Sequence, residues 1–587
     1  VATVAAVAAF VVPGSAGAAG TKTVWVPAST CAAPRSGHMG CLALRLVRKV
    51  VPAAATTPDA ARVRPSVGNG PAGGYAPNEI AKAYGFNANA ATRRTVAIVD
   101  AYHDPTVRTD LNKFDARYGL PAETATSFKQ VNQSGNASPL PANDPTPQAS
   151  WATETTLDVQ AVRGLCHKCK ILLVEAGSDG DASLAASVNA AVARGARIVS
   201  NSYGGPENDP NETSTVRAKY DHPGVAILAA SGDDGWRGWD FWNCVSTTVC
   251  GTPLPKPDDF PTVPASYNSV IGVGGTSLYL NANGSRASET VWNDNGPGDI
   301  YGGNLGVNFG ASGSGCSTRY GPRGWQAHVA GYGSLGCGAS KRNGVDIAAL
   351  ADPFTGYDIY QSFGNKSCTS TPFFCWETLG GTSLAAPVIG AMWALAGGPA
   401  AVRYPSLSLY GHYQTGRPLY DVTVGGTGFC GTANPTSCTG GVNPNMNPAL
   451  KPAAELDCAW DVGGTSNRVL ANRAQCYARS GYDGVSGVGT PKGLRVFTAM
   501  NPRANIKPPG TVQHGVRHTF SAAGTTDPFP GGRITKYTWN WGDGHATTTT
   551  TVTATHTYAN RHTRTIKLTV TDNYGRRGSR SSTISVT

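Results

Sequence analysis

A chain of 587 residues is longer than one hydrophobic core usually organises, so at least two domains are expected. With 40% hydrophobic and only 14% charged residues, it is neither a charge-rich disordered chain nor a coiled coil, and its 73 Gly and 40 Pro point to many tight turns. The formal charge of +11 reflects 37 acids against 48 scattered bases; without a dense basic stripe or a recognisable module, nucleic acid is not the expected partner.

Residues 1–18 form an apolar run closing on Ala16-Gly17-Ala18, the body of a secretory signal peptide truncated at its start. Pro13 and Gly14 cut the run below the roughly 18 apolar residues of a membrane span, so export without a membrane anchor is expected. Fourteen cysteines agree with export and disulfides. Many are close neighbours, among them Cys31/Cys41, Cys166/Cys169, Cys316/Cys337 and Cys368/Cys375, although connectivity cannot be deduced from sequence. Cys166-His167-Lys168-Cys169 reads as a small structural loop before a redox or zinc motif, because no second CxxC completes a zinc site.

Residues 19–74 hold a Cys-containing segment and then a Pro/Ala/Gly linker at 51–74; they read as a short pro-segment or an N-terminal extension. From 75 to about 500 the pattern alternates. Strands are expected at 95–100 (TVAIVD), 170–175 (KILLVE), 197–202 (RIVSNS) and 225–230 (VAILAA), with helices at 151–165 and 182–194. That is the signature of an α/β domain with a parallel sheet flanked by helices, whose chemistry collects at the carboxyl ends of the strands. Residues 501–587 instead show alternating strands and tight turns, an all-β sandwich.

Gly380-Gly381-Thr382-Ser383-Leu384-Ala385-Ala386-Pro387 precedes an apolar helix. A serine at a loop-to-helix junction has backbone N–H groups nearby that can stabilise an oxyanion, and Pro387 is expected in the first turn, where it costs no hydrogen bond. Gly274-Gly275-Thr276-Ser277-Leu278 repeats the letters but continues as strand and turn, so Ser277 reads as structural. A nucleophilic serine needs a base, and none of the eleven histidines lies in an HGTH-type context. The chain offers Glu154 and Asp158 instead, i,i+4 on one helix face, a pair that could equally be a solvated acidic face near a helix N-terminus. Asp233 in Ser231-Gly232-Asp233 follows a strand; it could close an Asx-turn or point into a site.

Taken in order, Glu154-x-x-x-Asp158, Ser231-Gly232-Asp233 and Gly381-Thr382-Ser383-x-x-x-Pro387 resemble the sedolisin family of serine-carboxyl peptidases over roughly residues 74–497. The resemblance implies a subtilisin-like fold and a secreted endopeptidase acting on proteins or peptides at acid pH. Ser383 would be the nucleophile, Glu154 its base, Asp158 the residue orienting Glu154, and Asp233 the oxyanion-hole donor. Asn201-Ser202-Tyr203-Gly204 resembles the family's substrate-lining strand, which implies substrate contacts at Ser202, Tyr203 and Gly204. A structural Ca²⁺ is also implied, with carboxylates from Asp421 and Asp483 and carbonyls from Val422, Arg479 and Gly481; two Asx-type turns are the alternative for these loops.

The chain departs from the family in its short N-terminal segment and in an aromatic, Cys-bridged insert at 236–259, read either as a subsite for apolar side chains or as a self-packed loop. Trp539-Asn540-Trp541-Gly542-Asp543-Gly544 and the strands after it resemble a PKD domain, which holds polymeric substrate or acts as a spacer. The expected enzyme is a monomer. Two other readings are a subtilisin-type protease with a different base and a non-catalytic binding protein on a protease scaffold; an α/β-hydrolase is disfavoured because Ser383 lies outside a GxSxG elbow.

Overall fold

Short runs of Val, Ile, Leu and Ala with no polar alternation suit strands buried on both faces, and such strands build the centre of the molecule. The computed structural model describes residues 21–31, 34–52, 67–146, 150–235, 261–294, 310–338, 340–365, 368, 375–399, 402–416, 418–427, 459–460, 468–469 and 475–587. Three N-terminal strands come first, β1 (Thr21–Ser29), β2 (Gly40–Cys41) and β3 (Leu44–Pro52). The main sheet then takes β4 (Thr95–Ala101), β5 (Phe128–Asn132), β6 (Lys170–Ala176) and β7 (Ile198–Asn201). Beyond β8 (Tyr203–Pro206), β9 (Ala226–Ala230) and β10 (Thr262–Val263) come β11 (Ile271–Leu280), β12 (Arg286–Val291) and β13 (Ile347–Leu350).

The spatial order is β12-β11-β9-β7-β4-β6-β5, with β13 also on β11; all pairings are parallel except β11 with β12. Period-two geometry divides β4 between two cores. Val96 and Ile98 meet the helices Ser150–Leu165 and Thr382–Leu395, whereas Ala97 and Val99 meet Leu184 and Val188 of the helix Asp181–Ala193. The expected strand at 197–202 ends early because the chain leaves the sheet at Ser202 and continues as β8. Ser277 lies inside β11 opposite Thr290.

The N-terminal segment differs from the linker expected at 51–74, since β3 runs through Pro52. β1 and β3 form a hairpin that joins β15 (Trp376–Gly380) and β14 (Tyr357–Tyr360) in the order β1-β3-β15-β14, and β2 extends the pair β10-β8. Cys31–Cys41, Cys166–Cys169, Cys316–Cys337 and Cys368–Cys375 are bridged. Cys166 and Cys169 are buried between the helix Ser150–Leu165 and β6, as a structural staple requires, while Lys168 between them is exposed.

The C-terminal unit packs the strands Arg517–Ser521 and Thr553–Thr557 over a four-stranded antiparallel sheet that includes Ile534–Asn540 and Thr563–Asp572. Trp539 and Trp541 are fully buried and stacked 5.3 Å apart, so they are core and not a contact surface. Phe529 leaves this unit and packs on Gly411, within the main core.

Behind the sheet, Arg342 Nη2 lies 2.6 Å from Asp346 Oδ2, both groups being buried. Asp346 also accepts from Gly272 N at 2.9 Å and Tyr410 Oη at 2.6 Å, so it joins β11, β13 and the helix Ser406–Gln414. Replacing Arg342→Ala strands a buried carboxylate, and urea titration is expected to show a loss of about 3–5 kcal/mol.

Candidate active site

The helix Ser150–Leu165 is buried along its whole length, so its acids cannot be a solvated face. Its first turn is capped from outside, with Asp144 Oδ2 accepting Ala152 N at 2.9 Å. Glu154 and Asp158, one turn apart and both 0% exposed, share the face that meets the helix Thr382–Leu395.

Ser383 is the second residue of that helix. The turn into it needs Gly381, whose φ is +93° and whose Cβ would come 2.0 Å from Leu42 O and 2.6 Å from Asp233 Oδ2. Pro387 is the sixth helical residue and not in the first turn, which corrects the sequence expectation. Its missing N–H leaves the Ser383 carbonyl without its i+4 donor, and Ser202 Oγ takes that place at 3.2 Å. Ser202 therefore joins three parts of the site. Its Oγ lies 2.8 Å from each oxygen of Asp158, and its carbonyl accepts Ser383 Oγ at 3.2 Å.

Glu154 Oε2 accepts Leu42 N at 3.0 Å. Burial pushes the Glu154 carboxyl well above its usual range and the charge of Asp100 adds to this, while the nearby Ser383 hydroxyl and the hydrogen bond from Leu42 N favour its charged form. Asp158 is raised for the same first reason, then by Asp100 and Glu154, against the bond from Ser202. Asp233 Oδ1 accepts both Thr382 N (2.8 Å) and Thr382 Oγ1 (2.7 Å), leaving Oδ2 buried without a hydrogen-bond partner beside the Ser383 turn. Burial raises Asp233 to about 7 against those two bonds, so at acid pH it is a protonated carboxyl, able to donate.

The structure thus brings Ser383, Glu154, Asp158, Asp233 and Ser202 together, with Tyr203 and Gly204 next in line on β8. It also adds a carboxylate that the sequence reading had left inside a strand. Asp100, fully buried on β4, is raised to about 8 by burial, against the nearby Thr155 hydroxyl. The available signal was an acid near the carboxyl end of a central parallel strand, where such folds place their chemistry.

The expected metal loops come together elsewhere. Gly481 N donates to Asp421 Oδ2 at 2.9 Å, and Asp483 accepts Arg479 N at 3.1 Å and Ser486 N at 2.8 Å. Val422 is buried beside Val485. The Arg479 guanidinium turns away to Gly331 O. Among the described residues, no three His, Cys, Asp or Glu side chains converge as a metal cluster. The aromatic insert at 236–259 lies outside the described residues.

Residues 127–401 match the subtilase family and residues 499–587 the PKD domain. Kumamolisin of Bacillus sp. (strain MN-32) is 28% identical over 449 residues, covering 74% of this chain and 65% of that protein. Sedolisin of Pseudomonas sp. (strain 101) is 26% identical over 380 residues, covering 62% and 57%. The chain thus spans about six-tenths of the length of these curated relatives. The solved structure of Pseudomonas sedolisin, a serine-carboxyl proteinase complexed with two molecules of pseudo-iodotyrostatin, superposes with a TM-score of 0.51 at 23% identity, over 72% of this chain and 96% of that one. That likeness carries the fold, a subtilisin-like one of the sedolisin type.

Asp100, Asp233 and Asp104, raised to about 8, 7 and 7, hold their protons more tightly folded than unfolded. Their stabilisation is complete below the unfolded value of about 4 and is lost as pH rises through 7 to 8. Melting temperatures are expected to fall from pH 4 to pH 8, and Asp100→Asn should flatten part of that slope.

Proposed function

We propose that this chain, a subtilisin-like fold of the sedolisin type with an appended PKD domain, is a secreted serine-carboxyl endopeptidase that cuts protein substrates at acid pH. One observation carries the reading: a serine at a helix start is surrounded by buried carboxylates in place of a histidine. The six histidines ahead of residue 500 find other partners: His38 meets Asp179, His103 Glu175, His167 Gly164 O, His222 Asn189, His328 Gly324 O and His412 Thr498 O. The bridged cysteines support an oxidising, extracellular setting.

In this mechanism Ser383 Oγ attacks the scissile carbonyl carbon while Glu154 accepts its proton. Asp158, itself 2.8 Å from Ser202 Oγ through either oxygen, orients Glu154. The tetrahedral oxyanion takes a hydrogen bond from protonated Asp233. Glu154 then returns the proton to the leaving amine, and water, activated by Glu154, hydrolyses the acyl-enzyme. A histidine base is lost to protonation below about pH 6; Glu154 serves there only while its neighbours Asp100, Asp158 and Asp233 hold their protons, so that a single carboxyl of the buried cluster is ionised. Substrate backbone runs along Ser202, Tyr203 and Gly204. The molecule acts as a monomer, and the PKD domain holds polymeric substrate or spaces the enzyme from it.

A structural Ca²⁺ fits the loops at Asp421 and Asp483. These two acids come from separated segments and lie close enough for the charge of Asp421 to raise Asp483, an arrangement that a hard cation relieves. Asp421 and Asp483 would supply carboxylates and Val422, Arg479 and Gly481 carbonyls; when bound, the ion ties the two loops.

Casein hydrolysis by acid-incubated protein, followed from pH 2 to 9, is expected to peak below pH 6 and to fall at least about 10³-fold in Ser383→Ala and Glu154→Gln. Asp233→Asn keeps a donor that does not titrate, so it should retain measurable activity with its alkaline limb moved upward. Activity confined to neutral pH and indifferent to Glu154→Gln would sink the reading. Separately, EDTA should lower the melting temperature by several degrees, Ca²⁺ should restore it, and Asp421→Asn should be insensitive to both.

A further inference from the structure

Charge is unevenly divided along the chain. Residues 501–587 hold eleven Lys and Arg against three Asp and no Glu, eight of the eleven net positive charges. The three acids are taken up inside this unit. Asp527 Oδ1 and Asp572 Oδ2 lie 2.7 and 2.6 Å from Arg576 Nη2, and Asp543 Oδ2 lies 2.7 Å from His556 Nε2. Nine of the eleven bases are exposed. Among the described residues, none of those nine has a carboxylate within ion-pair distance, so the unit shows solvent a single sign of charge where ordinary surfaces mix both.

The four-stranded sheet arranges part of that charge. Its strands run in the order Ala546–Thr549, Ile534–Asn540, Thr563–Asp572 and Arg577–Ser585. Trp539, Leu568 and Val570 are buried on its inner face, so period two turns Lys536, Lys567 and Arg577 outward, and all three are exposed. The register sets Lys536 and Arg577 on either side of Thr571, two strands and about 10 Å apart. Lys567 lies four residues along the strand from Thr571, about 13 Å away. Thr538, Thr569 and Ser579 cross the sheet in one row between these cations. The outer face is therefore a hydroxyl floor with cations standing at its corners, and no Phe, Tyr or Trp ring of the unit is exposed.

We propose that this face is a docking surface for a sulfated polysaccharide, and that the C-terminal unit anchors the enzyme to a polyanion that it does not cut. The commitment to sulfate rests on the proposed acid-acting peptidase. At about pH 4 the aspartates and glutamates of a partner take up protons, so a protein target turns net positive and is repelled here, and a carboxylated polymer loses its charge. Sulfate esters stay ionised, and sugar hydroxyls can exchange hydrogen bonds with the Thr and Ser floor. A single-stranded nucleic acid is held by bases stacked on exposed rings, which the unit lacks. Protein targets that have turned positive gather on the same polymer. Anchorage thus brings enzyme and substrate together without the unit touching the substrate.

The test uses the full chain in a Ser383→Ala background, which cannot digest itself, passed at pH 4 over immobilised dextran sulfate and over plain dextran. Binding is expected on the sulfated polymer alone and should weaken steeply with salt. Lys536→Ala/Lys567→Ala/Arg577→Ala should bind about tenfold more weakly. Lys113→Ala/Arg117→Ala/Lys129→Ala removes the same charge from exposed positions elsewhere and should bind as the parent does, as should Lys536→Arg/Lys567→Arg. Matching melting temperatures confirm that every variant is folded. Equal binding by the two alanine triples, or equal retention on plain dextran, would overturn the proposal. Displacement by duplex DNA at a lower charge concentration than soluble dextran sulfate would also overturn it, in favour of a nucleic acid. Binding needs no catalysis, so the two readings separate: sulfated polymer held by a chain whose wild type cuts no casein keeps this face and removes the peptidase, and casein cut by a chain that ignores the polymer does the reverse.

Discussion

Four carboxyl groups, from Asp100, Glu154, Asp158 and Asp233, share one buried region at the carboxyl edge of a parallel sheet, and they cannot all be charged. Much of the surrounding architecture follows from that constraint. Water is excluded by a helix buried on every side, so each ionisation state depends on the few donors the protein supplies. Thr382 supplies two to Asp233, Ser202 one to Asp158, and the backbone of Leu42 one to Glu154. Acid conditions satisfy the cluster with protons from solvent, which is why the proposed chemistry and the stability of the fold lean toward the same side of neutrality.

Ser202 is where backbone and side-chain requirements meet. Pro387 removes a hydrogen bond from the helix that carries the nucleophile, and the freed carbonyl lies 3.2 Å from a hydroxyl that also sits 2.8 Å from both oxygens of Asp158, its one hydrogen shared between them. A proline that would ordinarily weaken a helix here ties the nucleophile's backbone to the carboxylate pair. This also explains why the chain leaves the main sheet at Ser202: its side chain is committed to the site, and its carbonyl faces the cleft.

The main sheet was legible because its strands are unbroken apolar runs, a pattern that two-sided burial forces on a sequence. The convergence of Glu154, Asp158, Asp233 and Ser383 could be read only through the order of several motifs, since each motif alone had an ordinary structural explanation. Asp100 stayed hidden because one acid ending an apolar strand looks like the beginning of a turn. Pro387 was placed a turn too early because helix starts are fixed by capping geometry, here the positive φ of Gly381, which letters do not display. The course of residues 39–45 was beyond local reading altogether. Its pairing partners lie more than 150 residues away on β8 and β15, and a short Cys-containing segment reads as a pro-segment or an extension whichever surface it covers.

The placement of Phe529 bears on how the molecule meets bulky material. An aromatic ring from the C-terminal unit completes the packing of the main core against Gly411, and Arg576 fastens the same corner by donating to the carbonyl of Met500 and to Asp527. The appendage is therefore an outrigger with one standing angle, not a float on a line. On the proposed reading, a polymer held by the PKD domain would meet the cleft from the side this corner sets, and substitutions at the corner would change cleavage of large targets while leaving turnover of small peptides as it was.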